Sequence, residues 1–269
     1  MGGIVRVATL NLSKGENRWD ERAPLLIEQL VELRPDIIGV QEVDLRIDQG
    51  NWLCRRLNDL VSDSEMDKPE YTVHHMVNPR DRVTLEALAI MTRLPVRAHE
   101  GLDYLIRNRV AHRLRVEADG APIDFYNTHF HHVQDPEGHE MRLAQSRKLI
   151  EWMDGHGWES PKVLVGDFNS LPSGPPILLI EETMRSTHEA VHGSEPHHTL
   201  TPMATMLKGH EPPSGIVVDY VFVSGEVRPL EAGVCFDRQH PDDPSLYASD
   251  HLGVFASIGI GPEKPGEPG

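Results

Sequence analysis

Short apolar runs separated by polar turns constrain the fold of this chain more than any other feature of its sequence. Runs of this length predict buried β-strands. Asp119-Gly120 lies between two such segments, Arg113–Glu117 and Ile123–Phe130, and this dipeptide favours a tight hairpin turn. The predicted strands are Ile4–Leu12, Asp36–Val43, Leu88–Thr92, Ile123–Phe130, Lys162–Phe168, Ile216–Val223 and Leu252–Ile258.

The spacing of apolar residues between these runs predicts helices. Glu21–Leu33 and Met141–Met153 each place several apolar side chains on one face. A shorter helix is expected to begin at Pro175, and another covers Trp52–Leu60. Strands that alternate with helices and are then followed by hairpin-like strands indicate a layered, mixed α/β fold.

No linker or internal repeat divides the chain, so we expect a single domain over residues 1–260. The proline- and glycine-rich stretch Gly261–Gly269 is expected to be a disordered tail. Ser194–Ser214, rich in proline and histidine, is expected to be a long surface loop. Cys54 and Cys235 are too few for a disulfide scaffold and lack metal-ligand spacing.

The charge of the chain limits its partners. The sequence has 269 residues and a formal net charge of −16. Such an acid excess argues against a large basic groove for duplex DNA, because Lys and Arg supply most of the affinity for phosphates. No signal peptide is visible, and no apolar run approaches the ~20 residues of a transmembrane helix. We therefore expect a soluble, cytoplasmic and monomeric protein without a transmembrane segment.

Polar side chains stand at the ends of the predicted strands. A carboxylate within or just after an apolar strand is costly unless it is paired or metal-bound. If the strands bring these ends together, they form an oxygen-rich cup with two histidines, which suits Mg²⁺ or Mn²⁺ better than zinc. These side chains are Asn11, Glu42, His129, Asp167, Asn169, Asp219, Asp250 and His251.

These residues also carry a family resemblance. In order, LNLSKG, GVQEV, NTHF, GDFNS, VVDYVFVS and SDH resemble the endonuclease/exonuclease/phosphatase superfamily, over residues 4 to 258. Each motif alone is weak, but six in order are specific. The resemblance implies a four-layer α/β sandwich, with two mixed sheets packed together and helices outside. It also implies metal-dependent hydrolysis of phosphoester bonds.

The resemblance assigns a metal site and part of the phosphate site. Glu42 would be the main Mg²⁺ (or Mn²⁺) ligand, Asn11 would orient the metal or the phosphate, and Asp250 would complete the site from the opposite sheet. Asp167 and Asn169 would position the nucleophilic water and a non-bridging phosphate oxygen.

The same resemblance assigns the groups that handle protons. His251 would pair with Asp219, and His129 would face it across the phosphate. More finely, TLEALAIMTR places Glu86 where the secreted deoxyribonucleases and some sphingomyelinases hold a carboxylate against the first catalytic histidine. Arg109 lies where that branch has an arginine that contacts phosphate. We therefore expect a Glu86 oxygen roughly 2.6–3.2 Å from a His129 nitrogen.

Four questions remain open at this point. Taken singly, Asn11, Asn169 or His129 is more often a turn cap or a surface residue than a catalytic one. The His129-x-His131 spacing resembles a zinc pair, but no third ligand with the expected spacing follows. The substrate is a phosphoester, either nucleic acid cut with modest specificity or a small molecule or phospholipid headgroup. The alternative from another class is a catalytically silent binding module of the same fold.

Overall fold

A computed structural model describes residues 3–61, 69–80, 83, 85–204 and 215–261. In its first half the elements are β1 (Ile4–Asn11), α1 (Trp19–Leu33), β2 (Ile37–Asp44), a 3₁₀ turn (Leu45–Ile47), α2 (Gln49–Val61), β3 (Thr72–Val77), β4 (Glu86–Thr92), β5 (Val96–Asp103), β6 (Val110–Ala118) and β7 (Ala121–His129). They continue with α3 (Pro136–Asp154), β8 (Lys162–Asp167), α4 (Pro175–Glu181), β9 (Arg185–Ser186), α5 (Thr187–His192), β10 (Asp219–Val223), β11 (Arg228–Cys235), β12 (Gln239–His240), β13 (Asp243–Tyr247) and β14 (Gly253–Gly259).

The strands form two six-stranded mixed sheets and a small hairpin of β12 and β13. The first sheet has the order β11-β14-β1-β2-β4-β3 and the second has the order β5-β6-β7-β8-β10-β9. Each sheet contains one parallel pair, β1 with β2 and β7 with β8, whose strands are joined through a helix, α1 or α3. The predicted four-layer α/β sandwich is therefore confirmed.

Three apolar clusters hold the four layers together. One lies between the sheets and includes Val7, Ile90 and Phe125. A second packs α1 and α2 on the outer face of the first sheet, and a third packs α3 and α4 on the second sheet around Phe168. Within the described ranges, none of the helices combines the length and apolarity that crossing a bilayer requires.

The predicted elements are present with shifted ends. The hairpin forms as expected, with left-handed backbone at both Asp119 (φ 49°) and Gly120 (φ 80°), which matches the twist of the flanking strands. α3 begins at Pro136, five residues earlier than predicted, because Asp135 accepts a hydrogen bond from the Gly138 amide and caps it. The strand predicted over Ile216–Val223 is shorter in the structure: β10 begins only at Asp219, because the preceding residues form a loop and do not pair with β8.

Two other predictions fall partly on undescribed residues. The predicted tail lies outside the described residues except for Gly261, and positions 205–214 of the predicted surface loop lie outside them as well. The described part of that loop contributes the bridge between Leu200 and His251.

Two buried amides connect the sheets near the ends of the parallel strands. Gln41 Nε2 donates to Asn127 Oδ1 at 2.7 Å, and Asn127 Nδ2 donates to the Val40 and Ala89 carbonyls, each at 3.0 Å. Because both amides are fully buried, these bonds fix how the carboxyl ends of β2 and β7 face each other.

Candidate active site

The carboxyl ends of the two parallel pairs face one another across a cleft of about 780 Å³. Nearly all of the predicted site residues line it. Asn11 and Asp219 are each 1 % exposed and lie directly behind the lining residues Asp167 and His251. The lining side chains that matter below are Lys14, Glu42, Glu86, Arg107, Arg109, His129, His131, His132, Asp167, Asn169, Asp250 and His251.

Glu42 reaches the cleft because β2 is irregular at this point. The ladder with β4 shifts register between Val40 and Val43, and Glu42 has a left-handed backbone (φ 54°). A bulge of this kind redirects a side chain out of the alternation of the strand, at a cost of about 1–3 kcal/mol for a non-glycine residue. Its carboxylate lies at the cleft, with Oε1 3.9 Å from His129 Nε2.

Asn11 and the segment before His251 are bonded to each other. Ser249 Oγ donates to the Asn11 carbonyl at 2.6 Å, so Asp250 is held next to the end of β1. The Asn11 side chain accepts from the Ser13 amide at 2.9 Å and donates to Asp167 Oδ2 at 3.0 Å. Each end of this amide therefore has one partner within the protein and one free position, a lone pair on Oδ1 and an N–H on Nδ2.

Asp167 and Asn169 form a turn just after β8. Asp167 Oδ1 accepts from the Asn169 amide at 2.9 Å, and Asn169 adopts a left-handed backbone with φ of 49°. Gly166 precedes them because a Cβ there would lie 2.1 Å from the Thr128 carbonyl oxygen. This close approach of β8 to β7 brings Asp167 beside His129.

The two histidines converge on Asp167. Its Oδ2 lies 3.4 Å from His129 Nε2 and 3.8 Å from His251 Nε2. His251 Nδ1 lies 2.9 Å from Asp219 Oδ2, so the predicted pairing of these two residues is confirmed. The carboxylate fixes the ring orientation and leaves Nε2 facing the cleft.

The charges of this group follow from burial and proximity. Burial raises the pKa of Asp219 to about 6, although His251 opposes the rise. Burial alone would lower the pKa of His251, but Asp219 and Asp167 outweigh it and raise that pKa to about 10. Burial would also raise the pKa of Asp167, but His129 and His251 lower it overall. The site therefore favours an imidazolium at His251 beside an ionised Asp167.

The predicted hydrogen bond between Glu86 and His129 is not formed. Glu86 Oε1 lies 3.7 Å from His129 Nδ1, because Arg109 Nη1 lies between them, 2.9 Å from the carboxylate and 2.8 Å from the ring nitrogen. Arginine can only donate, so Nδ1 of His129 accepts and a neutral ring carries its proton on Nε2. Burial opposes ionisation of Glu86, yet His129, Arg109 and Lys14 lower its pKa overall. Glu86 holds the arginine rather than the ring.

The donor set at the metal position fits a hard cation. Glu42 and Asp250 offer carboxylate oxygens on either side of the Asn11 backbone, and no thiolate lines the cleft among the described residues. Oxygen ligands suit Mg²⁺ or Mn²⁺. Asp167, Asp219 and His251 also have ligand atoms within 4.8 Å of one another, but the short bond between His251 and Asp219 already uses one nitrogen and one oxygen.

Sequence reasoning missed several residues that build the site. Lys14 Nζ lies 3.4 Å from Glu86 Oε2, and the fully buried Arg22 and Arg142 hold the loops around the cleft. Both arginines occur in helical segments, where a charged residue ordinarily predicts a solvent-facing position. Only their placement in the first helix after a site-bearing strand, 11 residues after Asn11 and 13 residues after His129, could have singled them out.

The sequence of the chain matches the model of the Endonuclease/Exonuclease/phosphatase family over residues 8–251. The chain belongs to this family. Its fold matches that of a family protein from Bacteroides thetaiotaomicron (TM-score 0.76, 18% identity, 97% of this chain and 96% of that chain). It also matches the human Nocturnin catalytic domain with bound sulfate (TM-score 0.71, 19% identity, 96% of this chain and 97% of that chain).

Among curated proteins, the chain is similar to Carbon catabolite repressor protein 4 homolog 3 of Arabidopsis thaliana, at 29% identity over 176 residues. That match covers 61% of this chain and 36% of the relative. Protein angel of Drosophila melanogaster is 24% identical over 59% of this chain and 46% of its own length. The chain thus spans less than half the length of these curated relatives.

Proposed function

We propose that this protein is a Mg²⁺- or Mn²⁺-dependent phosphodiesterase that hydrolyses its substrate by in-line attack of water. The observation that carries the proposal is the convergence of two histidines on one buried carboxylate, with Asp167 Oδ2 3.4 Å from His129 Nε2 and 3.8 Å from His251 Nε2. Membership of the Endonuclease/Exonuclease/phosphatase family supports hydrolysis of phosphoester bonds.

The charge of each side chain in the cleft determines its role in the proposed reaction. When bound at Glu42 and Asp250, the divalent cation would neutralise negative charge on the phosphate as the new bond forms. Asp167 is held ionised and accepts hydrogen bonds, so it can orient the attacking water together with Asn169. His251 carries a proton on the Nε2 that faces the cleft, and it can donate that proton to a phosphate or leaving-group oxygen.

His129 and Arg109 form the other wall. The Nε2 proton of His129 points toward Asp167, and Arg109 is anchored on Glu86 with its guanidinium at the cleft. An arginine in this position can donate two parallel hydrogen bonds to the non-bridging oxygens of a phosphate.

The charge around the cleft supports a short substrate. Among the described residues, Lys14, Arg107 and Arg109 are the lysine and arginine side chains that line the cleft, on a protein with a formal net charge of −16. So few cations can neutralise one or two phosphates but not a long duplex. We therefore propose a small phosphodiester, a phospholipid headgroup or a short single strand as substrate.

The test is turnover of bis(4-nitrophenyl) phosphate with Mg²⁺, with Mn²⁺ and with excess EDTA, beside the monoester 4-nitrophenyl phosphate. We expect metal-dependent release of 4-nitrophenolate from the diester that EDTA abolishes. His251→Ala serves as the inactive control, purified in the same way to exclude a contaminating hydrolase. Equal rates with EDTA would refute the metal requirement, and no turnover of any phosphoester would favour the silent binding module.

A panel of substrates then separates the remaining classes. Plasmid DNA, oligoribonucleotides, sphingomyelin vesicles and phosphorylated inositols and sugars present the same bond in different surroundings. We expect plasmid to be the poorest substrate per phosphodiester bond. Efficient nicking of plasmid at physiological salt would refute the argument from charge.

A further inference from the structure

Two arginines are the largest fully buried side chains among the described residues, and both lie on the helices that connect the parallel strands. Arg22 is on α1 and Arg142 is on α3, and each is 0 % exposed. Burying a guanidinium is costly unless its N–H groups are hydrogen-bonded. Carboxylates are the usual partners, yet the hydrogen bonds of these two arginines go mainly to backbone carbonyls of the loops around the cleft.

Arg22 binds the loop that follows β1 and joins it to the segment before His251. Its five N–H groups have partners at 2.7–3.1 Å, all of them carbonyl oxygens. Four belong to the loop after Asn11 and one to the residue before Ser249. The accepting residues are Leu12, Lys14, Glu16, Asn17 and Ala248. One guanidinium therefore fixes the position of Asn11 relative to Asp250.

Arg142 binds the loop that follows β7 through its two terminal nitrogens, while its buried Nε has no hydrogen-bond partner among the described residues. Its Nη1 donates to the His131 carbonyl at 2.9 Å and the Val133 carbonyl at 2.7 Å, and its Nη2 donates to Gln134 Oε1 at 3.0 Å. Gln134 Nε2 in turn donates to the Asn169 carbonyl at 3.1 Å. This chain of bonds links Arg142 through Gln134 to the left-handed turn that carries Asn169.

We propose that Arg22 and Arg142 are matched positioning residues: Arg22 sets the metal-binding half of the cleft, and Arg142 sets the half that carries His129 and Asn169. This assignment rests on the proposed function. Neither arginine lines the cleft, so each acts through the loop that it binds.

The electrostatics of the two arginines agree with this division. Burial lowers the pKa of Arg22 to about 10, and the negative charge of Asp250 opposes that shift. Burial also lowers the pKa of Arg142, and there the opposing carboxylates are Asp135 and Asp167. Each buried cation therefore interacts with a carboxylate of its own half of the site.

The test replaces each arginine by lysine, which keeps the charge but offers three donors on one nitrogen instead of five in a planar fork, so it cannot reach all the groups that the guanidinium binds. Arg113→Lys is the matched control, because Arg113 is also buried but pairs with Asp124 near the start of β7, about 16 Å of strand away from His129. For all variants we would measure thermal unfolding, Mn²⁺ affinity by electron paramagnetic resonance, and kcat with bis(4-nitrophenyl) phosphate.

The two lysine variants should fail in different ways. Arg22→Lys should weaken Mn²⁺ binding about 10–100-fold, the range seen when a partner of a metal ligand is lost. Arg142→Lys should leave Mn²⁺ affinity within about twofold, lower kcat by about 10–100-fold, and raise amide hydrogen exchange in residues 130–135 and 168–171. Arg113→Lys should lower stability and leave Mn²⁺ affinity and kcat unchanged. If both site variants lose stability as Arg113→Lys does, with Mn²⁺ affinity and kcat unchanged, the assignment is wrong.

Two further variants keep the test decisive if a buried lysine prevents folding. Gln134→Ala removes an exposed side chain. It should lower kcat and raise amide hydrogen exchange at residues 168–171 without loss of stability. If neither kcat nor exchange changes, the assignment of Arg142 as a positioning residue is wrong. Arg22→Gln retains two N–H donors. If neither Arg22 variant folds, Arg22 is required for folding, and its assignment as a positioning residue is wrong. Because Mn²⁺ affinity and hydrogen exchange do not depend on turnover, they test the positioning even if the wild-type protein hydrolyses no phosphoester.

Discussion

A buried histidine that does not line the cleft gives a prediction about stability that can be worked out from the structure. His112 on β6 is 0 % exposed, and neither ring nitrogen has a hydrogen-bond partner among the described residues. The ring of His99 lies 4.8 Å away, and that of His74 lies 5.5 Å from His99 across the seam between the sheets. Burial lowers the pKa of His112 well below its usual value, and His99, His74 and His75 lower it further.

The sign and size of the effect follow from proton linkage. In the native state His112 is neutral, whereas in the unfolded chain it gains a proton below a pKa of about 6.5. The unfolded state therefore binds more protons, and stability is lost as the pH falls below that value. At 1.36 kcal/mol per unit, a fall from pH 6.5 to pH 5.0 costs about 2 kcal/mol. That is a large part of the 5–15 kcal/mol that typically stabilises a folded domain.

The measurement compares His112→Phe with the wild type by urea unfolding at pH 7.5 and pH 5.0. Phenylalanine cannot titrate. From pH 7.5 to pH 5.0, the free energy of unfolding should therefore fall by about 2 kcal/mol less in the variant than in the wild type. Any packing strain from the larger ring appears at both pH values and cancels. His197→Gln, at an exposed histidine, should follow the wild type throughout. An equal difference between His112→Phe and the wild type at both pH values would refute the reasoning.

Three further predictions concern the cleft. Glu42→Gln should raise the Mn²⁺ concentration needed for half-maximal activity at least tenfold while far-UV circular dichroism stays unchanged, and an unchanged metal requirement would contradict its role. His129→Ala and His251→Ala should each lower kcat by about 10²–10⁴ with little change in KM, which steady-state kinetics with bis(4-nitrophenyl) phosphate would show; near-native rates in both would contradict their assignment. Glu86→Gln should mainly raise KM, because Arg109 loses the carboxylate that anchors it, and a loss confined to kcat would instead indicate a direct action of Glu86 on His129.

The layered fold could be predicted because buried strands leave a simple trace in the sequence. Apolar runs such as Lys162–Phe168 are stable as strands when they are buried between two layers, and their order relative to the helices limits the topology. β3 was missed because its residues are half-buried and include two histidines, so they form no apolar run. β5 was missed for the same reason, since most of its side chains are exposed or half-buried at the edge of the second sheet.

The candidate site was predictable in its members but not in its contacts. Glu86, Arg109 and His129 come from the start of β4, the turn before β6 and the end of β7, and the sequence gives no distances between those points. A carboxylate and an imidazole in such positions are expected to pair. The arginine side chain is long enough to enter between them, and it donates to both of them at once.

The two halves of the cleft are built alike, which explains how its strained residues are held. In each half a strand runs into a loop bound by a buried arginine, a helix crosses back, and the parallel neighbour ends near a non-glycine residue in a left-handed conformation. That residue is Glu42 in one half and Asn169 in the other. Each such conformation costs about 1–3 kcal/mol and persists only where its surroundings leave no alternative. The bonds of Arg22 and Arg142, together with the Gln41–Asn127 contact between the sheets, supply that constraint from fully buried positions. The rigidity of the cleft thus comes from polar bonds in the layers behind it, so substitutions there should loosen the site before they unfold the protein.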